Sequence, residues 1–470
     1  MKGWFLLFIV FAIQMLIMKL TNCYVISFHL IEIITKYSYS RLYTSMEEGF
    51  SIEPAKKKFF TFFDIFAIWL GAGISIAEFW AGALLTPALP FLNAILIIII
   101  GHLIGNLIMT LIAIPGQQTG LPTMVLARAS LGIKGSLLPS WLNYLQLIGW
   151  TAIMLIVGSK AMETIFGYHH LWIVFLGIIV TLWAFVSPTI WKKLEKISAV
   201  LLLALSLWLT YVTLTKFSIK EIFGYEATHS IGIMLALDLV IAMPLSWAPL
   251  VADYARFGKE KGIAFWGTFI GYFISSSLFY MIGSLTNATI GKGDPISIIA
   301  SYGLGIPAML IIIFSTATTT FLDVYSAAIT FKNIKPKMDA RKQIVFVGML
   351  GILLALFLPM EKYESFLLLI GGAFVSLTAI MIADYFVAKR KYDANELLKE
   401  KSIYWYKKGY NVKALMIWAI GFVFYILLAF EGLLGYTIPF FSSFGYFIGS
   451  SIPTFLLVFD LYLLSMLNEK

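Results

Sequence analysis

An acidic side chain lies inside a long apolar segment. Glu78 falls within residues 63–82, which are almost entirely apolar and also include Gly71, Gly73 and Gly82. About 20 apolar residues are enough to cross a bilayer, and an ionised side chain at that depth is costly. Because glycines weaken a helix, the pattern predicts a broken membrane helix with a functional acid, as in the sites of transporters.

Two interpretations of Glu78 follow from its neighbours. Gly71, Ser75, Glu78 and Gly82 recur at helical spacing and share one face. The carboxylate could accept the N–H pair of an aminopyrimidine, as carboxylates do at base edges. Alternatively, Glu78 lies near the membrane interface and is paired with a lysine or solvated by a pore.

A second polar stripe occurs in the third apolar segment. Asn143, Gln146 and Trp150 stand at positions i, i+3 and i+7, which face one direction on a helix. A flat heterocycle could stack on the indole and receive hydrogen bonds from the two amides. The same stripe could instead pack neighbouring helices together.

Clustered hydroxyls mark the eighth apolar segment. Ser315, Thr318 and Thr319 lie at i, i+3 and i+4. Hard cations such as sodium take several oxygen ligands, so these hydroxyls could bind one. Alternatively, they bond to their own helix backbone. Asp323, one turn further, could carry a proton or complete an internal polar network.

The sixth apolar segment contains an acid and a proline. Asp238 could bind substrate, carry a proton, or pair with Lys216 or Lys220. Pro244 lacks a backbone donor and disfavours helix before it, so we expect a break there. Two broken helices five spans apart indicate a binding site between two structural repeats.

The composition is that of a polytopic membrane protein. Hydrophobic residues make up 60% of the 470 residues and charged residues 13%, against about 25% charged in soluble domains. The net charge of +9 does not indicate nucleic-acid binding, because the basic residues fall between apolar segments. One cysteine and five scattered histidines exclude a disulfide and show no metal-ligand spacing. We expect no cofactor beyond sodium as a coupling ion.

Twelve membrane spans are predicted beyond residue 55. They lie near 60–86, 91–114, 137–159, 169–190, 195–215, 230–253, 263–287, 303–331, 343–360, 364–387, 413–431 and 439–466. Most lysines and arginines fall in alternate loops, which places both ends of this helical body in the cytoplasm. We expect a monomer that is surrounded by lipid in the cell membrane.

The first 45 residues do not fit this scheme. They could form a weak signal sequence or an extra helix. We favour translation beginning at Met46, since Met46-Glu47-Glu48 leads directly into the regular pattern.

Several motifs, in order, resemble one family of permeases. The loop at 120–136 has the form Arg-x-Ser-x-Gly-x-x-Gly and is followed by Gly-Trp at 149–150. Ala-Asp-Tyr sequences close the sixth and tenth spans at 252–254 and 383–385. Together they resemble the nucleobase–cation symporter-1 family over most of residues 55–390.

The resemblance implies a fold and a function. The fold is LeuT-like, all-α, with two inverted five-helix repeats at 55–215 and 228–390, broken helices one and six, and two further helices at 413–466. Residues 71–78 and 315–326 look most like the cytosine-permease branch, closest to members thought to carry the thiamine precursor hydroxymethylpyrimidine. The expected function is import of such a pyrimidine by sodium- or proton-coupled symport with alternating access.

The resemblance also implies site residues. Relatives place a substrate-stacking tryptophan at the position of Trp150, and a second one in helix six, farther ahead of the closing motif than Trp247. Sodium-coupled relatives use a Ser/Thr pair that matches Thr318 and Thr319. Their other ligands are carbonyls that match the region of Ala72 and Ser75.

Specificity and function class leave alternatives open. Some hydantoin-type relatives have a glutamine where this chain has Met154, which argues against hydantoin. The same fold could carry purines, allantoin, thiamine or amino acids. A channel lacks support because there is no repeated ring of charges. An enzyme lacks support because there is no His–acid pair or nucleotide-binding loop.

Overall fold

The described residues of the computed structural model are helical. They comprise 49–186, 188–290, 305–358, 363–388, 391–429 and 439–467. Within these ranges the only β-type pairs are isolated bridges, Phe60 with Gly258 and Lys407 with Tyr410. The predicted extension at 1–45 lies outside the described residues.

The described residues form eighteen α-helices, numbered in chain order. They are α1 Phe62–Gly73, α2 Ile76–Leu84, α3 Phe91–Thr119, α4 Thr123–Leu126, α5 Arg128–Leu131, α6 Leu137–Phe166, α7 His169–Ala184, α8 Pro188–Lys216, α9 Ile219–Phe223, α10 Ile233–Trp247, α11 Val251–Ala255, α12 Ile263–Ile290, α13 Gly305–Ile334, α14 Ala340–Phe357, α15 Tyr363–Ile382, α16 Val412–Leu428, α17 Pro439–Ile448 and α18 Ser451–Leu467.

Helices that are long and apolar enough to cross a membrane occur from the first predicted span to the tenth. In the described part of the chain, seven helical segments are long and apolar enough to cross a bilayer, and the pair α1 and α2 makes an eighth. Three shorter apolar helices are α7, α16 and α18. Each of the twelve predicted spans overlaps a described helix. The exact count of twelve crossings stays a prediction.

The first predicted span is broken, as expected. Helix α1 ends at Gly73, α2 begins at Ile76, and their axes differ by 52°. The N–H of Ile74 still donates back to the carbonyls of α1, whereas the Ser75 hydroxyl accepts the N–H of Glu78 as the N-cap of α2. A polar cap directly after a glycine-containing helix end restarts the helix in a new direction.

The sixth span differs from the prediction. Pro244 lies inside α10, so the predicted break at this residue is wrong. Helical conformation continues to Trp247, and a short 3-10 turn, Ala248–Leu250, precedes α11. The turn contains Pro249, which lacks an N–H and disfavours helix at the residue before it. The interruption therefore occurs at the second proline rather than the first.

Two groups of helices carry the functional elements. Phe50–Val186 and the residues from Ile190 onward form one compact unit. Within it, α1, α2, α3, α10 and α12 pack on one another, and α6, α7, α13 and α14 form a second group. Each group thus combines helices from both predicted repeats, 55–215 and 228–390.

Candidate functional site

Aromatic rings from three helices meet near the end of α10. The ring centres of Trp69 and Trp247 are 5.9 Å apart, those of Trp69 and Tyr272 are 6.0 Å apart, and those of Trp247 and Tyr272 are 6.5 Å apart. All three contacts are edge-to-face, the geometry that aromatic quadrupoles prefer. The group, here called the aromatic cluster, joins α1, α10 and α12. Trp69 was not among the predicted site residues.

The predicted amide stripe on α6 contacts the same end of α10. The Gln146 amide N–H donates to the Ser246 carbonyl at 3.0 Å and to the Asn143 side-chain oxygen at 2.8 Å. The Asn143 amide N–H donates in turn to the Thr330 hydroxyl at 2.8 Å. Asn143 therefore ties α6 to α13, and Gln146 ties α6 to the start of the interruption in the sixth span.

Two polar atoms beside these contacts have no hydrogen-bond partner in the described residues. They are the side-chain oxygen of Gln146 and the indole N–H of Trp69, and both residues are buried. A buried polar group without a partner needs an explanation, such as a bound molecule. One free acceptor on α6 and one free donor on α1 therefore belong to residues that contact the end of α10, at Ser246 and Trp247.

Trp150 lies one turn beyond Gln146 on α6 and packs against α15. Its ring centre is 5.6 Å from that of Phe366, with an interplanar angle of 71°. Gly149 also contacts this phenyl ring, because a Cβ there would come within 2.6 Å of it. The predicted stacking residue is thus held in place by Phe366.

Glu78 faces α12 and α3. Its carboxylate accepts the Tyr272 hydroxyl at 2.6 Å on one oxygen and the Ser276 hydroxyl at 2.8 Å on the other. The His102 imidazole lies 2.5 Å from the Ser276 hydroxyl and extends the network to α3. Among the described residues, no lysine or arginine is in salt-bridge range of Glu78. Through Tyr272, the acid supports the aromatic cluster.

Asp238 contacts the start of α18, the last described helix. Its oxygens accept the backbone N–H groups of Ser450 and Ser451 at 2.6 and 2.8 Å, and the Ser450 hydroxyl at 2.8 Å. These N–H groups belong to the start of α18, where a carboxylate is a favourable cap. Asp238 therefore stabilises the junction between α10 and α18.

The predicted hydroxyls on α13 face the break between α1 and α2. The Ser315 hydroxyl donates to the Ile74 carbonyl at 2.8 Å. The Thr318 hydroxyl donates to its own helix at Phe314, as the alternative interpretation expected. The Thr319 hydroxyl is buried without a hydrogen-bond partner in the described ranges.

The other predicted cation and proton residues are close by along the chain. Ala72 is buried in the last turn of α1, and Ser75 caps α2. Asp323 is buried on α13 one turn beyond Thr319. The structure thus brings Ser315 to the break by its bond to Ile74 and Thr318 to the neighbourhood of Gly71.

Glu195 on α8 was not predicted. The side chain is fully buried, and neither carboxylate oxygen has a hydrogen-bond partner in the described residues. One of these oxygens lies 2.8 Å from the position that a Cβ would take on Gly71. Its basic neighbours, such as Lys193 and Lys196, served only to predict orientation. The missed signal was an acid in the first turn of a predicted span.

A buried arginine closes the loop between α3 and α6. The Arg128 guanidinium donates to the Asn333 side chain at 2.8 Å and to the Leu397 carbonyl at 2.9 Å. Burial lowers the pKa of Arg128 to about 10, so the side chain remains charged at neutral pH. It joins this loop to the end of α13 and to the segment that follows α15.

Comparison with known families decides the class of protein. The profile of the family described as "Permease for cytosine/purines, uracil, thiamine, allantoin" matches residues 52–449. The chain belongs to this permease family. The predicted membership of the nucleobase–cation symporters is therefore confirmed, and with it the prediction that the chain is a transporter and not an enzyme.

Curated relatives of this permease are identical to it at about a quarter of the aligned positions. The cytosine permease of Escherichia coli strain K12 is 26% identical over 348 residues, covering 72% of this chain and 81% of the relative. The hydantoin permease of Microbacterium maritypicum is 26% identical over 388 residues, covering 76% and 79%. Two substrates at the same identity leave the choice of heterocycle undecided.

A solved structure shows the fold. Mhp1, a nucleobase-cation-symport-1 family transporter in a closed conformation with bromovinylhydantoin bound, superposes with a TM-score of 0.76 at 21% identity. The match covers 89% of the permease and 94% of Mhp1. The predicted LeuT-like fold is confirmed.

Proposed function

We propose that the permease imports a pyrimidine-type heterocycle, hydroxymethylpyrimidine or cytosine, by cation-coupled symport with alternating access. One observation supports it most directly. A free buried acceptor on Gln146 and a free buried donor on Trp69 lie beside the aromatic cluster. A planar ring that bears both an N–H and a ring nitrogen or carbonyl would satisfy both groups and stack on indole surfaces.

The other predicted substrate-binding residues have different roles in this proposal. Trp150 and Trp247 supply ring surface, and Asn143 orients Gln146. Glu78 acts through Tyr272, whose hydroxyl it holds. Asp238 is left out of the binding site because its oxygens already cap α18.

The coupling cation in this proposal binds at the break of the first span. Carbonyls near Ala72 and Ser75 and the hydroxyls of Ser315, Thr318 and Thr319 are oxygen ligands of the kind that sodium takes. A cation there would hold α1 against α13, which belong to different helix groups. If Asp323 carries a proton instead, sodium has no effect on substrate binding.

Ligand-induced thermal stabilisation of the purified permease tests the proposal. A bound ligand raises stability by about RT ln(1 + [L]/Kd), so we expect a shift with hydroxymethylpyrimidine or cytosine that grows with sodium. Uracil, hypoxanthine, allantoin, hydantoin and thiamine are the competing ligands. A shift with only a purine or allantoin would show that the permease binds that class instead of a pyrimidine. No shift with any compound of the panel would contradict the proposed substrate class.

A pair of variants on α6 tests the binding site itself. Gln146→Leu removes the free acceptor together with the amide N–H bonds to Ser246 and Asn143, and we expect the Kd of the stabilising heterocycle to rise at least about tenfold. Leu145→Ala is the control, because Leu145 is the preceding residue on α6 and its side chain is exposed. An unchanged Kd in Gln146→Leu would place the substrate elsewhere.

A further inference from the structure

Glu195 is a buried carboxylate without a partner. It is 0% exposed, and neither oxygen receives a hydrogen bond from the described residues. The adjacent Lys196 does not neutralise it, because its ammonium pairs with Asp64 at 2.6 Å. An isolated ionised carboxylate is among the most costly groups to bury. Either a proton or a bound cation must therefore neutralise Glu195.

The carboxylate lies against the end of α1. One oxygen is 2.8 Å from the Cβ position of Gly71, and the Thr318 hydroxyl oxygen is 4.0 Å from the same point. Glycine at 71 leaves the room that the carboxylate occupies. Helix α8 is held in this position because Ala199 and Leu202 belong to one packed apolar group with Leu70.

Side-chain oxygens from two helices thus approach the end of α1. Glu195 of α8 and Thr318 of α13 both lie next to Gly71, and Thr319, whose buried hydroxyl has no hydrogen-bond partner in the described residues, follows Thr318 on α13. Hydroxyls and carbonyls carry only partial charges, whereas a carboxylate offers a full negative charge to a hard cation. A monovalent cation here would neutralise Glu195, whose two oxygens have no other partner in the described residues, and the Thr318 oxygen could still bind it, because its hydroxyl donates to Phe314 and leaves its lone pairs free.

We propose that Glu195 is an anionic ligand of the coupling-cation site and that this site takes sodium. The proposal rests on the cation-coupled function proposed above and adds α8 to the helices that the ion joins. With sodium bound, α1, α8 and α13 are linked through one ion.

Sodium titrations of the purified full-length permease test this assignment. Thermal stability is followed as sodium replaces choline at constant ionic strength, without heterocycle, in the wild type, Glu195→Gln and Glu163→Gln. Glu163 is the matched control because it undergoes the same change with a half-exposed side chain on α6. We expect the sodium Kd to rise at least about tenfold in Glu195→Gln, as for other close charge pairs, and to stay unchanged in Glu163→Gln.

The other outcomes are equally decisive. An unchanged sodium Kd in Glu195→Gln, or a wild type that does not respond to sodium, would overturn the assignment. If Glu195→Gln does not fold, Glu195→Asp keeps the charge but shortens the reach, and an unchanged sodium Kd there would overturn it as well. If no heterocycle binds while the sodium response depends on Glu195, the substrate proposal fails and the cation site stands.

Discussion

Each oxygen of the Glu78 carboxylate accepts a hydrogen bond from a hydroxyl of α12. Tyr272 and Ser276, both on α12, donate to its two oxygens. We expect Glu78→Ala to lower the free energy of unfolding by about 2–4 kcal/mol, because it leaves buried hydroxyls without an acceptor. Glu78→Gln keeps one acceptor and adds a donor, so its cost should stay below about 1 kcal/mol. Thermal unfolding of both variants measures the difference.

Equal losses in the two Glu78 variants would contradict this role. The sequence predicted the depth and burial of Glu78 from the apolar residues around it. It could not predict Tyr272 and Ser276 as partners, because these lie almost 200 positions further along the chain. The role of Glu78 in substrate recognition stays a prediction that the uptake of Glu78→Gln measures directly.

At the scale of the elements, Asp238 joins α10 to the start of α18. We expect Asp238→Ala to cost about 1–2 kcal/mol, the usual value of a lost helix cap, and to leave the heterocycle Kd unchanged. Thermal unfolding and ligand titration of the same sample separate the two effects. A rise in the heterocycle Kd larger than the loss of stability explains would return Asp238 to the binding site.

The two helix interruptions differ in how well the sequence predicts their positions. The break at Gly71 and Gly73 was predictable because glycine weakens a helix wherever it stands. Pro244 did not break α10, and it packs against Gly105 of α3, where a Cβ would come within 2.5 Å of the proline ring. The neighbouring helix therefore offers space for this proline. The interruption at Pro249 shows that a second proline five residues on decided the end of the helix.

For the whole molecule, the proposed cation-coupled symport requires the substrate and the cation to bind cooperatively. The aromatic cluster and the α13 hydroxyls are connected through α1, which carries Trp69 and ends beside Ser315. We expect sodium to raise heterocycle affinity about 5- to 150-fold, the usual range of allosteric coupling. Heterocycle must then raise sodium affinity by the same factor, and two titrations check the equality. A sodium effect on heterocycle affinity below about fivefold, with sodium binding intact, would contradict coupling between the two sites.

Local sequence patterns were enough to predict the membrane class, the order of the helices, the first helix break and the permease family. These depend on hydrophobic runs and local motifs, which need no knowledge of what lies across the molecule. Which polar groups find hydrogen-bond partners depends on how the helices pack. Asp238 found the N–H groups of α18, Gln146 kept a free oxygen, and Glu195 came to the end of α1 without a partner. Such pairings depend on side chains from distant segments that helix packing brings within a few ångströms of one another.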